Sequence, residues 1–354
     1  MIEFEQLYSW VRGLPIVDWH NHLDLDMIAE DRPLGSLYEV WVKADPYKHR
    51  AMRICGESER AITGDASEEE KWEAWKRTLP KLVGNPIFAW AKLELEFLGV
   101  DGRENVSLSA FTPKKILKAF NVEYFDPGCR MNAGDEIDTG RLDAVSARGG
   151  RILDVSIDDI DIVDADAFLG IGREAVRRGW TMLLHMGALR RTSERLRLST
   201  GPAGGYAGMR APVDPQKVAG LLNFLEKADA LPRTILLSLN PEAHAQLAVL
   251  AGSFNGEGVP GKVQLGPAWW WCDHEEGIRD VLEKNAAYGV LSTFVGMTTD
   301  SRSLLSFVRH DYFRRVLCRW AAEKVASGSF PDDEALLRPM MENICYRNAK
   351  ELVK

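Results

Sequence analysis

The sequence predicts an α/β fold with a parallel sheet, and three observations support this. Seven short runs are rich in β-branched and apolar residues, and most are apolar throughout, as in strands that helices cover on both faces. Segments of helical character alternate with the later runs. The 354 residues suffice for a barrel of eight strand–helix units, whose usual size is roughly 250 residues. We therefore predict a (β/α)8 TIM barrel in one domain over residues 1–354.

Each predicted element follows from its composition. The strands are Ile16–Trp19, Val122–Phe125, Ile152–Ile157, Thr181–Leu184, Thr234–Leu239, Lys262–Leu265 and Val290–Val295. The helices among the later strands are Ala165–Arg178, Pro215–Ala230, Pro241–Ala251 and Glu275–Tyr288. An eighth strand has room only near Asn132–Arg148. An open, doubly wound sheet is the competing fold, but no G-x-G-x-x-G motif follows a predicted strand.

The stretch between the first two strands is about a hundred residues long, far more than a crossover needs. It contains three segments of helical character, and Ser67 and Asn85 stand where helix N-caps are expected. We predict that residues 24–120 are a helical insertion within the barrel and not a separate domain.

The amino-acid composition limits which partners the protein is expected to bind and in which cellular compartment it is expected to lie. The 44 basic and 52 acidic residues give a formal charge of −8, which argues against nucleic acid and anionic membranes as partners. The five scattered cysteines form no C-x-x-C pair, so we expect neither a disulfide framework nor a cysteine zinc site. The first residues lack the pattern of a signal peptide. We expect a cytoplasmic protein that forms a homo-oligomer.

The sharpest local feature is His20-Asn21-His22 at the end of the first predicted strand. Alternate residues of a strand point to one side, so both imidazoles project together, at the end where such barrels keep their active sites. His185 and Asp300 follow later strands and are candidates for further metal ligands. For His185 a metal ligand, a substrate contact and a structural histidine remain open. Asp300 could instead serve as a helix cap or turn residue.

Several blocks together resemble the uronate isomerases, a family of the amidohydrolase superfamily of metal-dependent (β/α)8 barrels. The blocks are His20–His22, Tyr47–Arg53, Gly84–Pro86, Leu184–Arg190, Ala268–Trp270, Phe294–Ser303, Arg309–Cys318 and Ile344–Tyr346. Each block alone is ordinary, but their order along the chain is specific to the family. The resemblance implies an isomerase that interconverts a hexuronate and its keto form, of the glucuronate/fructuronate or galacturonate/tagaturonate type.

The resemblance also implies roles for individual residues. His20, His22 and Asp300 would hold one divalent metal ion, zinc or alternatively manganese. Asp300 would act as the base that moves a proton between C2 and C1 through a cis-enediol. Tyr47 and Arg302 would move a proton between the two oxygens. Each role is chemically reasonable, because a cation stabilises a developing enediolate and proton transfer needs a carboxylate and a phenol within reach.

A sugar-acid substrate also needs contacts to its carboxylate and ring. Arginine is the apt cationic clamp, and Arg50, Arg190 and Arg314 are candidates that the sequence does not rank. We further expect His185, Trp270 and Asp273 to contact the substrate. The tryptophans at 269–271 could equally be core residues, and the glycine-rich stretch at 201–208 is either an active-site loop or a surface loop.

Three departures from the family pattern concern the substrate pocket. Phe125–Gly128 replaces a Thr-Thr-Asp-Asp-Pro block, Arg191–Ser193 replaces an asparagine run, and Pro46 stands where the family has histidine. The chain is also shorter than full-length relatives. Two alternatives therefore stay open: a metal-dependent hydrolase acting on a sugar-acid lactone or amide, and a sugar-acid binding protein with a structural metal.

Overall fold

The computed structural model describes residues 1–202 and 204–354. Its strands are β1 Ile16–Asp18, β2 Val122–Phe125, β3 Cys129–Asn132, β4 Ile152–Ile157, β5 Thr181–Met186, β6 Ala188–Leu189, β7 Gly208–Met209, β8 Thr234–Ser238 and β9 Val263–Leu265.

Helices make up most of the rest. They are α1 Phe4–Val11, α2 Leu25–Glu30, α3 Leu37–Trp41, α4 Pro46–Ile54, α5 Glu59–Ile62, α6 Glu68–Thr78, α7 Pro86–Leu98, α8 Pro113–Ala119, α9 Thr139–Ala147, α10 Ala165–Arg178, α11 Glu194–Thr200, α12 Pro215–Lys227, α13 His244–Gly252, α14 Glu275–Tyr288, α15 Val308–Ala326, α16 Glu334–Glu342 and α17 Asn348–Leu352. Short 3-10 turns cover Leu79–Leu82, Ile160–Ile162, Pro241–Ala243, Trp270–Cys272, Leu291–Thr293 and Leu304–Phe307, and a π turn covers Asn343–Arg347. None of the described helices is long and apolar enough to cross a membrane.

The central sheet is parallel, as predicted. Five strands pair in the order β3-β4-β5-β8-β9, and β1 pairs with β2 in a separate parallel ladder. Residues of β4, β5 and β8 are buried along their whole length, because helices cover the outside and side chains fill the inside. The α/β class is confirmed.

The segment 293–301 links the five-stranded sheet to the β1-β2 ladder. The side-chain oxygen of Gln264 in β9 accepts a hydrogen bond from the Val295 amide at 3.0 Å. Further along, the Asp300 amide donates to the His20 carbonyl at 3.1 Å. Since β2 and β3 are separated by only three residues, a second short connection also joins the two ladders.

Two predicted strands differ from the structure. Val290–Val295 contains a 3-10 turn at Leu291–Thr293 and continues as extended chain without a ladder. The stretch proposed for an eighth strand is mainly helix α9, and β3 stops where that stretch begins. In both segments the hydrogen bonds of a turn or of a helix replace the strand pairing that was predicted.

Seven helices, α2 to α8, lie between β1 and β2. They build a hydrophobic cluster of their own around Trp41, Trp72 and Trp75, which are almost fully buried. Leu304, Leu305 and Phe307, in the 3-10 turn just before α15, belong to the same cluster. The helices of residues 24–120 therefore pack against the chain that follows Asp300.

Candidate active site

His20, His22 and Asp300 meet where β1 ends. The Nε2 atoms of His20 and His22 lie 3.3 Å and 2.9 Å from the same oxygen, Oδ1 of Asp300. Asp300 has a positive φ of 47°, an uncommon conformation for a residue with a side chain. The structure thus brings together the three residues that the sequence analysis singled out as metal ligands.

Asp154 and His185 extend this cluster. Asp154 lies in β4, with Oδ2 3.7 Å from His20 Nε2 and Oδ1 2.7 Å from His185 Nδ1. Two overlapping groups could hold a metal ion, His20 with His22 and Asp154, and His20 with His185 and Asp300. In each group one ligand atom per residue lies within 4.8 Å of the others.

The chemistry of these donors fits a divalent cation. His20 is fully buried; its Nδ1 has no hydrogen-bond partner among the described residues, while its Nε2 faces the Asp300 and Asp154 carboxylates at 3.3 Å and 3.7 Å. Buried polar atoms are rarely left unpaired, and imidazole nitrogens beside carboxylates are the donors that zinc and manganese accept. Burial alone would raise the pKa of Asp300. Contacts with His20 and His22 outweigh this effect and hold the pKa well below its usual range. The carboxylate is therefore ionised.

A buried carboxylate, Asp18, holds the two halves of the cluster together. It accepts hydrogen bonds from the Thr299 amide and hydroxyl, both at 2.7 Å, and from the Thr298 hydroxyl at 2.9 Å. It also accepts from Asn21 Nδ2 at 2.9 Å, and His310 Nε2 lies 3.2 Å away. Asp18 thereby ties the segment before Asp300 to the end of β1.

Tyr47 faces this cluster from the helical insertion. It lies in the first turn of α4, whose N-cap Asp45 accepts from the Tyr47 amide and whose first residue is Pro46. Its ring packs edge-on against Trp90 at 5.9 Å and against Trp271 at 5.4 Å. Burial raises the pKa of Tyr47 well above its usual range, so the phenol is protonated and can donate.

A cavity of about 630 Å³ lies between the helices of residues 24–120 and the segment 300–309. Its lining includes Tyr47, Trp90, Asp300, Arg302 and Arg309. Arg302 is exposed and has no ion-pair partner among the described residues, so its guanidinium is available to a ligand. This space is large enough for a six-carbon sugar.

The other predicted substrate contacts are placed differently. Arg50 stacks on Trp271 at 4.7 Å and donates to the carbonyls of Gly205 and Ala207. Arg190 pairs with Asp158 at 2.9 Å and lies 5.8 Å from the ring of Trp270, at the rim. The glycine-rich stretch therefore packs on α4 through Arg50, although its Ala203 lies outside the described residues.

Arg314 is not part of the site. Its guanidinium donates to the carbonyls of Arg12 and Pro15, which precede β1 and lie at the opposite end of that strand from His20. The structure does not bring Arg314 to the cavity, because its position on α15 points it towards the amino ends of the strands.

Asp273 contacts Arg309, and both side chains are buried. The guanidinium of Arg309 also lies over the ring of Trp90 at 4.7 Å. Sequence reasoning named neither Arg309 nor Asp154 nor Asp18 as site residues. Asp154 and Asp18 could have been found from the sequence, because each is a lone carboxylate within an apolar strand. An unpaired charge is costly to bury there, so such a carboxylate indicates a polar partner.

Comparisons with known proteins agree with these features. A family model described as glucuronate isomerase matches residues 3–128 and 116–353. A uronate isomerase from Bacillus licheniformis is 33% identical over 440 aligned positions, covering 97% of this chain and 93% of that protein. The alignment is longer than the 354 residues here, so that relative contains segments that this chain lacks.

Solved structures give the same result. A uronate isomerase from Thermotoga maritima superposes with a TM-score of 0.83 at 25% identity, over 99% of this chain and 97% of that one. A glucuronate isomerase from Caulobacter crescentus gives 0.85 at 20% identity, over 99% and 93%, and supports the fold alone. The resemblance inferred from the sequence motifs is confirmed: the chain belongs to the glucuronate isomerase family.

Proposed function

We propose that this member of an isomerase family interconverts a hexuronate and its keto form. The observation that carries the proposal is the carboxylate of Asp300, which contacts His20 and His22 and lines a cavity shared with Tyr47 and Arg302. Base, phenol and guanidinium thus surround one space, as proton transfer between neighbouring carbons requires. The family match favours an isomerase over the hydrolase alternative.

The metal would be held by His20, His22 and Asp300. We propose zinc, with manganese as the alternative, because neutral imidazoles and a carboxylate suit both ions. The burial of His20, whose Nε2 faces the Asp300 carboxylate, supports this site. A cation bound there would stabilise the negative charge that develops on the sugar oxygens.

This chain's own residues would carry the proton. The ionised Asp300 takes the proton from C2 of the open-chain sugar and returns it to C1. Tyr47, protonated and held between Trp90 and Trp271, donates its proton to the oxygen on C1 and takes up the proton of the C2 hydroxyl as the new carbonyl forms, while Arg302 stabilises the negative charge that develops on these oxygens. The tryptophans keep water from the reacting carbons.

Contacts at the rim would orient the sugar. We propose that His185, Arg190 and Trp270 touch it, since they lie around the metal cluster and its mouth. Arg50 acts through the loop carbonyls that it binds, and Asp273 acts through Arg309.

We also propose a single-domain, cytoplasmic homo-oligomer, in which residues 24–120 form one wall of the site. The free cysteines fit a reducing compartment, and the shared packing of the insertion with Leu304 and Leu305 fits one domain. Exposed Val249, Tyr288 and Val290 supply apolar surface that a second copy would cover. Light scattering of the purified protein measures the assembly, and a monomer would contradict that part.

The test of the activity is incubation of zinc-loaded protein with glucuronate and with galacturonate. We expect a ketose product from at least one of them. Release of acid from a sugar-acid lactone or of an amine from an amide, without isomerisation, would support the hydrolase instead.

Removal of the metal gives a second test. Dialysis against a chelator should abolish turnover, because the charge on the sugar oxygens loses its stabilisation. Added zinc or manganese should restore it, while magnesium, which prefers oxygen ligands, should not. Full activity of metal-free protein would contradict the proposal.

A further inference from the structure

Two buried N–H groups at the cavity have no acceptor among the described residues. They are Nε of Arg309, which is 4% exposed, and the indole nitrogen of Trp90, which is 6% exposed. Both residues line the cavity that reaches Asp300. Other buried N–H groups of the described residues also lack an acceptor, among them Nε of Arg314 and the indole nitrogen of Trp72. Arg309 and Trp90 differ from these because they line the cavity, where a ligand rich in acceptor oxygens would reach them.

The guanidinium of Arg309 is fixed before any ligand arrives. One terminal nitrogen contacts the Asp273 carboxylate, and the planar group lies over the Trp90 ring at 4.7 Å. Asp273 is itself only 5% exposed, so this pair is shielded from water. A planar guanidinium has five N–H donors, and Asp273 leaves the Nε edge free.

We propose that Arg309 binds the carboxylate of the substrate and so distinguishes a sugar acid from a neutral sugar. The inference rests on the proposed function and adds the residue that selects its substrate class. The N–H of Trp90 would donate to a neighbouring oxygen of the same ligand.

The other arginines are less suited to this task. Arg50 donates to two backbone carbonyls, Arg190 is paired with Asp158, and Arg314 lies at the far end of β1. Arg302 lines the same cavity but is exposed, so water weakens its pull on an anion. Arg309 combines burial, a fixed plane and a free donor.

The experiment compares two ligands that cannot isomerise. L-gulonate is glucuronate with its aldehyde reduced, and D-glucitol is the same molecule with CH2OH in place of the carboxylate. Calorimetry on the zinc-loaded protein should show tighter binding of gulonate. In Arg309→Lys, which keeps a charge for Asp273 but lacks the Nε donor, gulonate affinity should fall by about tenfold to a hundredfold. Glucitol affinity should not change.

Arg314→Lys is the matched control, because it changes another buried arginine of α15 that lies away from the cavity, and gulonate affinity should be unchanged. Two results would overturn the inference: equal binding of gulonate and glucitol by the wild type, or wild-type gulonate affinity in folded Arg309→Lys. The second result would transfer the role to Arg302.

A second variant covers a failure of Arg309→Lys to fold. Asp273→Asn removes the carboxylate that both fixes the guanidinium and competes for it, so the ratio of gulonate to glucitol affinity should change. An unchanged ratio would count against Arg309. These are binding measurements, so absence of isomerisation by the wild type would refute the proposed function separately.

Discussion

At the scale of single residues, the site depends on Asp18, a carboxylate that is not among the proposed metal ligands or substrate contacts. Asp18 is fully buried and accepts hydrogen bonds from Thr298, Thr299 and Asn21. Through these bonds it fixes the backbone next to His20 and the backbone next to Asp300, two of the candidate metal ligands. His20 and Asp300 therefore keep their separation because a third residue holds their neighbours.

Asp18→Ala leaves several buried donors without an acceptor. We expect a loss of about 3 kcal/mol or more in the free energy of unfolding, together with reduced metal content. Urea denaturation and elemental analysis measure the two effects. Asp166→Ala, which removes an exposed carboxylate from α10, is the control and should change neither. Unaltered stability of Asp18→Ala would show that these bonds contribute little.

The sequence predicted some site residues and not others for identifiable reasons. His20, His22 and Asp300 stand at strand ends, where parallel strands bring side chains together. Asp154 was not predicted, because it sits among the apolar residues of β4 and only the fold shows that it faces His20. Arg309 was one of many arginines, and its partner Asp273 lies 36 positions away along the chain.

At the scale of elements, α4 and the glycine-rich segment depend on each other. Gly205 has a φ of 76°, and a Cβ added there would lie 2.3 Å from the Pro46 carbonyl oxygen. Arg50 of the same helix donates to the Gly205 carbonyl. The segment thus supports the first turn of α4, which carries Tyr47.

Gly205→Ala should therefore disturb Tyr47. We expect kcat for the preferred uronate to fall about tenfold or more, since small displacements in an active site are costly. Gly258→Ala is the matched control, because Gly258 also has a positive φ, of 77°, but nothing lies within 4 Å of its added Cβ. Steady-state kinetics on both variants test this, and equal activity would argue against support of α4 by the segment.

The strands also show which elements the sequence pattern predicts well. The fully buried, mostly apolar strands β4, β5 and β8 were predicted within a few residues, because burial on both faces selects apolar residues along the whole strand. Val290–Val295 has the same composition but forms a turn and extended chain, since the side chain of Gln264 takes the place of a neighbouring strand.

At the scale of the whole molecule, the Gln264 side chain links the central sheet to the segment that carries Asp300. Gln264 is 7% exposed, accepts from the Val295 amide at 3.0 Å and donates to the Gly261 carbonyl at 3.0 Å. Without it, the segment leading to Asp300 would lose this hydrogen bond to β9. The packing of the central sheet and the placement of Asp300 therefore depend on the same side chain.

Gln264→Ala leaves the buried Val295 amide without an acceptor. We expect a loss of about 1–3 kcal/mol in the free energy of unfolding. Urea denaturation measures this, and Gln216→Ala on the exposed face of α12 should be neutral. A stability equal to that of the wild type would mean that other contacts hold the segment around Val295 against β9.

The central claim is that Asp300 moves the C2 proton of a uronate. Its most direct test is proton NMR of glucuronate and galacturonate in D2O with zinc-loaded wild type and Asp300→Asn. We expect the wild type to remove the C2 proton of at least one sugar acid, seen as deuterium at C2 or, where Asp300 returns the same proton, as that proton on C1 of the ketose. Asp300→Asn should do this at least about a hundredfold more slowly. Absence of both signals with metal-loaded wild type, or an undiminished rate in the variant, would contradict a role for Asp300 as the base.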